Sequence, residues 1–158
     1  MSQFFIENGD FILRLTLAVV LGMLIGAERL FVHKEAGMKT HALVSMGAAL
    51  FMLVSGAMAE KYAGLNGLSP TIMPAQIITG IGFLGAGMIM FRDSRTRGLT
   101  TASGLWVTAG IGMAAGFGLS SLATIATVLV LFIFITMHIL EDPIRKIAGD
   151  GETDGHKN

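Results

Sequence analysis

The side chains of this sequence that could do chemistry crowd against the ends of its apolar runs. Glu28 and Arg29 close the first run, and Lys39, Thr40 and His41 open the second. Arg92, Asp93 and Arg97 fill the connection after the third, and Thr100 and Thr101 open the fourth, where they are placed to cap a helix. One or two carboxylates among several cations can form a clamp between helix ends, or an anion- or proton-sensitive site. The clamp has the simpler physics, because groups at helix ends commonly satisfy one another.

Several other chemistries lack their parts. Magnesium needs hard oxygen ligands, usually one or two carboxylates with retained waters. Glu28 and Asp93 are the carboxylates at this edge that sit among arginines, and the interiors of the second to fifth runs have none. A path for dehydrated Mg2+ is poorly supported by that inventory. Cysteine is absent, which excludes disulfides, thiolate metal sites and thiol nucleophiles. His33, His41, His138 and His156 lack metal-site spacing. No P-loop, phosphorylatable aspartate motif or Ser-His-Asp set can be assembled, so neither an enzyme nor a bound cofactor is expected. Gly80, Gly82 and Gly85 spell G-x-G-x-x-G, but inside an apolar run rather than after a strand, so the dinucleotide reading is set aside.

Two polar residues lie within the apolar runs themselves. Arg14, about one turn into the first run, must snorkel outward or find an inward partner such as a carbonyl or Gln76. Fourteen residues separate it from Glu28. That is about 21 Å of helix, too far for a direct pair.

The elements that position these residues follow from composition. The chain of 158 residues is 53% hydrophobic and 14% charged, whereas soluble domains carry about 25% charged residues. Five stretches are long and apolar enough to be read as membrane spans: Phe11–Ala27, Thr40–Met58, Pro74–Phe91, Leu99–Gly116 and Leu119–Leu140. The Phe117–Gly118 gap between the last two suits a tight helical hairpin, with a single bent element as the alternative. Nine Lys and Arg residues fall in the first connection, the third connection and the C-terminal tail, against Lys61 alone on the opposite side. The positive-inside rule puts the nine in the cytoplasm. The expected architecture is therefore an all-α polytopic bundle with its N-terminus outside and C-terminus inside. Residues 1–10 read as an external N-terminus, 11–140 as the transmembrane domain, and 141–158 as a cytoplasmic tail, frayed or disordered at its end. The acidic N-terminus does not read as a cleaved signal. Balanced net charge gives no hint of a nucleic-acid partner.

Small residues should hold such a bundle together, because lipid supplies no hydrophobic drive between helices. Gly22 and Gly26 form a small-xxx-small pair. Gly80 and Gly87 share a face with Gln76, while Gly82 and Gly85 lie on roughly the other. A helix small on two sides suits the centre of the bundle, so the third run is expected there. Trp106, two turns into the fourth run, is expected to be packed inside.

These residues resemble the MgtC/SapB family of bacterial membrane proteins. The likeness runs from Arg14 to Glu141 and rests on LGMLIGAER (Leu21–Arg29), AGMKTHALVSMGAALF (Ala36–Phe51), AQIITGIGFLGAGMIM (Ala75–Met90) and RGLTTASGLW (Arg97–Trp106). It implies a multi-pass inner-membrane protein of magnesium homeostasis and stress adaptation and, in pathogens, of survival inside host cells. It also implies partners in the lipid bilayer, namely other membrane proteins or further copies of the chain, with Mg2+ as a ligand or signal. Family annotation often says magnesium transporter, yet several members look like modulators of other membrane machinery. Three departures stand out. Many members continue into a soluble domain resembling the ACT fold, and this sequence stops short of it. Lys39 stands where the family usually has Arg, keeping charge but losing the bidentate fork. Ile72 stands where members tend to carry an arginine four residues before Gln76.

Overall fold

The computed structural model describes residues 2–63, 71–92 and 95–149. Among them are five helices and one short hairpin: α1 (Ser2–Phe31), α2 (Met38–Lys61), α3 (Ile72–Met88), β1 (Met90–Arg92), β2 (Arg95–Arg97), α4 (Leu99–Gly116) and α5 (Ser120–Gly149). Three stretches, Asn8–Phe31, Met38–Lys61 and Ser120–Glu141, are long and apolar enough to cross a membrane. α3 and α4, at 17 and 18 residues, are shorter; at 1.5 Å per residue they reach about 26 Å, close to the ~30 Å of a hydrocarbon core. The outer surface is apolar in a way no water-soluble bundle tolerates: Phe83 is 81% exposed and Phe132 64%. The protein is an all-α membrane helix bundle.

The centre of that bundle is α4, not α3 as the glycine count predicts. α4 packs against all four other helices, while α3 lies at the side against α4 and α2. The reason is where the small residues point. A Cβ on Gly112 would lie 2.0 Å from the Ser45 carbonyl oxygen, and one on Gly116 would lie 2.5 Å from that of Ala49. From the other side, Gly22 would bring a Cβ 2.6 Å from the His41 carbonyl oxygen, and Gly26 one 2.5 Å from Met38 Cα. α2 is thus pressed between the glycine faces of α1 and α4. Ala18, Leu21, Ile25, Ala49, Ile111, Ala115 and Ala123 fill the space around these crossings. On α3, Gly85 faces Ala102 of α4 at ordinary contact distance, but Gly80, Gly82 and Gly87 face open space. Trp106 is 53% exposed and points outward rather than into the packing.

Two helices end in Schellman turns. After α4, the Leu119 N–H donates to the Ala114 carbonyl at 2.8 Å and the Gly118 N–H to that of Ala115 at 3.0 Å, with Gly118 left-handed at φ +90°. This is the tight turn of the hairpin reading of the Phe117–Gly118 gap. α1 ends the same way: the Lys34 N–H donates to the Arg29 carbonyl at 2.9 Å, and His33 takes the left-handed position at φ +55°. A β-branched side chain there clashes with its own backbone, so His33→Val should cost about 1–2 kcal/mol. His33→Asn should stay near wild type, and thermal unfolding in detergent would separate the two.

Three boundaries differ from the apolar runs. α1 begins at Ser2, so residues 2–10 are helical and continuous with the first apolar run. α3 stops at Met88, because Phe91 is drawn into β1 opposite Thr96 in an antiparallel hairpin that also pairs Met90 with Arg97. α5 continues through Pro143 to Gly149, well past the expected start of the tail at 141. The expected disorder at the chain's end lies outside the described residues.

Candidate functional site

The α1–α2 connection, the β2–α4 junction and the far end of α5 meet at one end of the bundle. They enclose a polar cavity of about 560 Å³. Its floor is Arg29, only 3% exposed. Arg29 donates from Nε and Nη2 to both carboxylate oxygens of Glu28, the latter bond being 2.7 Å. The guanidinium also lies over the Phe134 ring, 3.6 Å from its centroid. Glu28 and Arg29 thus satisfy each other within α1, and Arg29 touches α5 through Phe134. Phe134 had no sequence signal, being one aromatic among many in an apolar run.

Arg97, Thr100 and Thr101 line the same cavity from the start of α4, and His33 and Lys34 line it from the first connection. Arg97 and Lys34 are exposed, whereas Thr101 is 2% exposed. Neither threonine caps α4: the N-cap is Gly98, with φ +83° and no side-chain cap. A Cβ on Gly98 would lie 1.9 Å from the Met88 carbonyl oxygen, so the tight passage from hairpin to helix depends on glycine.

The remaining members of the predicted cluster separate. Lys39 and Thr40 are exposed on the first turn of α2 and are not among the residues lining the cavity. His41, one step on, is fully buried between α2 and α4. Its Nδ1 lies 2.8 Å from Thr108 Oγ1, and that hydroxyl donates to the Gly104 carbonyl at 2.8 Å. Nε2 of His41 and Oγ of Ser45 are buried without a hydrogen-bond partner among the described residues. Asp93 and the side chain of Arg92 lie outside the described residues.

Arg14 finds a carbonyl rather than Gln76. Its Nη1 donates to the Gly116 carbonyl at 3.1 Å, at the negative end of α4. Nη2 pairs with Asp10 at 2.8 Å. Gln76 is exposed on α3 and lines an apolar groove of about 660 Å³ between α2 and α3, together with Gly80.

The model of the MgtC family matches residues 15–142. Over 135 residues the chain is 44% identical to "Putative magnesium transporter YhiD" of Escherichia coli (strain K12), covering 84% of this chain and 63% of that protein. It is 45% identical over 114 residues to Protein MgtC of Brucella abortus (strain 2308), covering 72% and 45% of the two chains. With Protein MgtC of Salmonella typhimurium (strain 14028s / SGSC 2262) it shares 48% identity over 96 residues, 61% of this chain and 38% of that one. The chain thus spans between about two fifths and three fifths of the length of these relatives. No solved structure matches it. A bundle built on the Gly22–Gly26 and Gly112–Gly116 crossings, with Glu28, Arg29 and Arg97 gathered at one end, matched by the family model over nearly all its helices, belongs to the MgtC family.

Proposed function

We propose that this protein is a multi-pass protein of the bacterial inner membrane that serves magnesium homeostasis by contacting other membrane proteins. On this reading its cation-rich end faces the cytoplasm, as the nine-to-one distribution of Lys and Arg favours. One observation carries the modulator role. A pathway between α3 and α4 would need Gln76, Thr79, Thr100, Thr101 and Thr108 to line a common route, and they are dispersed. Gln76 and Thr79 are exposed on α3, where the Thr79 hydroxyl donates to its own helix at the Ala75 carbonyl, 3.0 Å away. Thr108 is sealed between α2 and α4 against His41. Thr100 and Thr101 line the end cavity instead. Transport of Mg2+ is the second reading, favoured by the printed name of the Escherichia coli relative.

Purified protein in sealed liposomes separates the two. Mg2+ entry followed with an internal indicator should match empty vesicles. Flux above that background, abolished by Glu28→Gln, would replace modulation with transport.

A further inference from the structure

The end cavity gathers three cations, Arg29, Lys34 and Arg97. Arg29 is engaged by Glu28 and Phe134, but Arg97 and Lys34 have no ion-pair partner among the described residues. Two carboxylates share the lining, Glu35 and Glu141, and Glu141 already has a partner. The start of α4 adds donors. With Gly98 as N-cap and no side-chain cap, the first-turn amides of α4 lack an intrahelical acceptor. The Thr101 side chain points to a ligand independently of these charges. It is 2% exposed and lines the cavity, and its hydroxyl takes part in no side-chain hydrogen bond among the described residues. A hydroxyl that opens onto the cavity without a partner of its own is free to bond a ligand there.

We propose that this cavity binds a phosphate-bearing anion, held by Arg97, Lys34, the Thr101 hydroxyl and the uncapped amides of α4. Fixed donors at a helix start joined to a guanidinium suit the oxygens of a phosphate group. A volume of about 560 Å³ accommodates a phosphate or a phospholipid headgroup. The ligand is therefore either a soluble phosphate or the headgroup of an anionic phospholipid entering from the surrounding bilayer. The inference holds whether the protein modulates partners or carries Mg2+.

The test uses the whole chain in a neutral maltoside detergent at ionic strength held constant with chloride. Inorganic phosphate is titrated in one arm and phosphatidylglycerol is added to the micelles in the other, each read as a shift in melting temperature. At least one probe should give a saturable shift, and Arg97→Gln with Lys34→Gln should weaken it about tenfold or more. Both positions are exposed, so the variant should keep the wild-type helix content and elution volume. Thr101→Val, which gives up a hydroxyl that bonds nothing among the described residues, should weaken binding several-fold without lowering the unliganded melting temperature. Saturation by phosphate alone identifies a soluble ligand, and saturation by the lipid alone a headgroup. Lipid binding displaced by phosphate shows that both use one site. The proposal is overturned if neither probe saturates, or if binding is unchanged in the Arg97→Gln, Lys34→Gln protein.

Discussion

Gly112→Leu should abolish the folded bundle, while Gly82→Leu leaves it intact. The two glycines are chemically identical and both lie in apolar helices, so only their surroundings separate them. A first side-chain carbon at Gly112 already falls 2.0 Å from the Ser45 carbonyl oxygen. That contact is with backbone, which cannot swing aside as a side chain can, so α2 and α4 must part along their whole crossing. Overpacking by a methylene or two costs about 1–3 kcal/mol in a core that can adjust; here the loss should exceed that range. The same substitution at Gly82 meets nothing within 4 Å and adds one more apolar side chain to a surface already bearing the exposed Phe83. Gly112→Ala should be intermediate. Size-exclusion profiles and melting temperatures of the detergent-solubilised variants measure all three. Equal loss in Gly82→Leu would show that the outer face of α3 is not the open one.

That contrast also marks what the sequence discloses and what it withholds. The five helical runs, the turn at Phe117–Gly118 and the charged end were legible because run length, turn residues and charge placement each have a direct physical reading. The identity of the central helix was not. Glycine density points to α3, yet a small residue lets a neighbour approach without requiring that one does. The decisive spacing lay elsewhere, at Gly104, Thr108, Gly112 and Gly116, one small residue every four positions along one face of α4. His41 shows the complementary difficulty. It follows Lys39 and Thr40 in the chain and invites grouping with them, but about 100° of helical rotation per residue turns it into the core. The β1–β2 hairpin hid for another reason. Each strand is three residues long, shorter than any periodic pattern can register. The site was accordingly half legible: Arg29, Arg97, Thr100 and Thr101 line one end cavity with Glu28 bonded to Arg29, while Lys39, Thr40 and His41 lie apart from it and Phe134 stacks on Arg29 unannounced.

The clamp itself sets the second large effect. Arg29→Met should destabilise the protein by about 3–5 kcal/mol, because it strips the counter-charge from a nearly buried carboxylate. The side chains of Arg29 and Glu28 are 4% and 11% exposed, so Glu28 cannot recover the lost interaction from water. The stack on Phe134 goes as well, and with it a direct tie between α1 and α5. Arg29→Lys should fall in between, since an ammonium keeps the charge but neither forks onto both carboxylate oxygens nor stacks flat on the ring. The double variant Glu28→Gln, Arg29→Met should recover much of the loss, because a buried pair replaced as a unit leaves no orphaned charge. Denaturant or heat unfolding of the four proteins closes this cycle. If Arg29→Met is as stable as wild type, or if the double variant is no better than the single one, the buried pair is not what stabilises this end of the bundle. The outcome also separates holding from binding at this end of the molecule. Arg29→Met should lose phosphate or lipid together with its fold, whereas Arg97→Gln should lose the ligand and keep the fold.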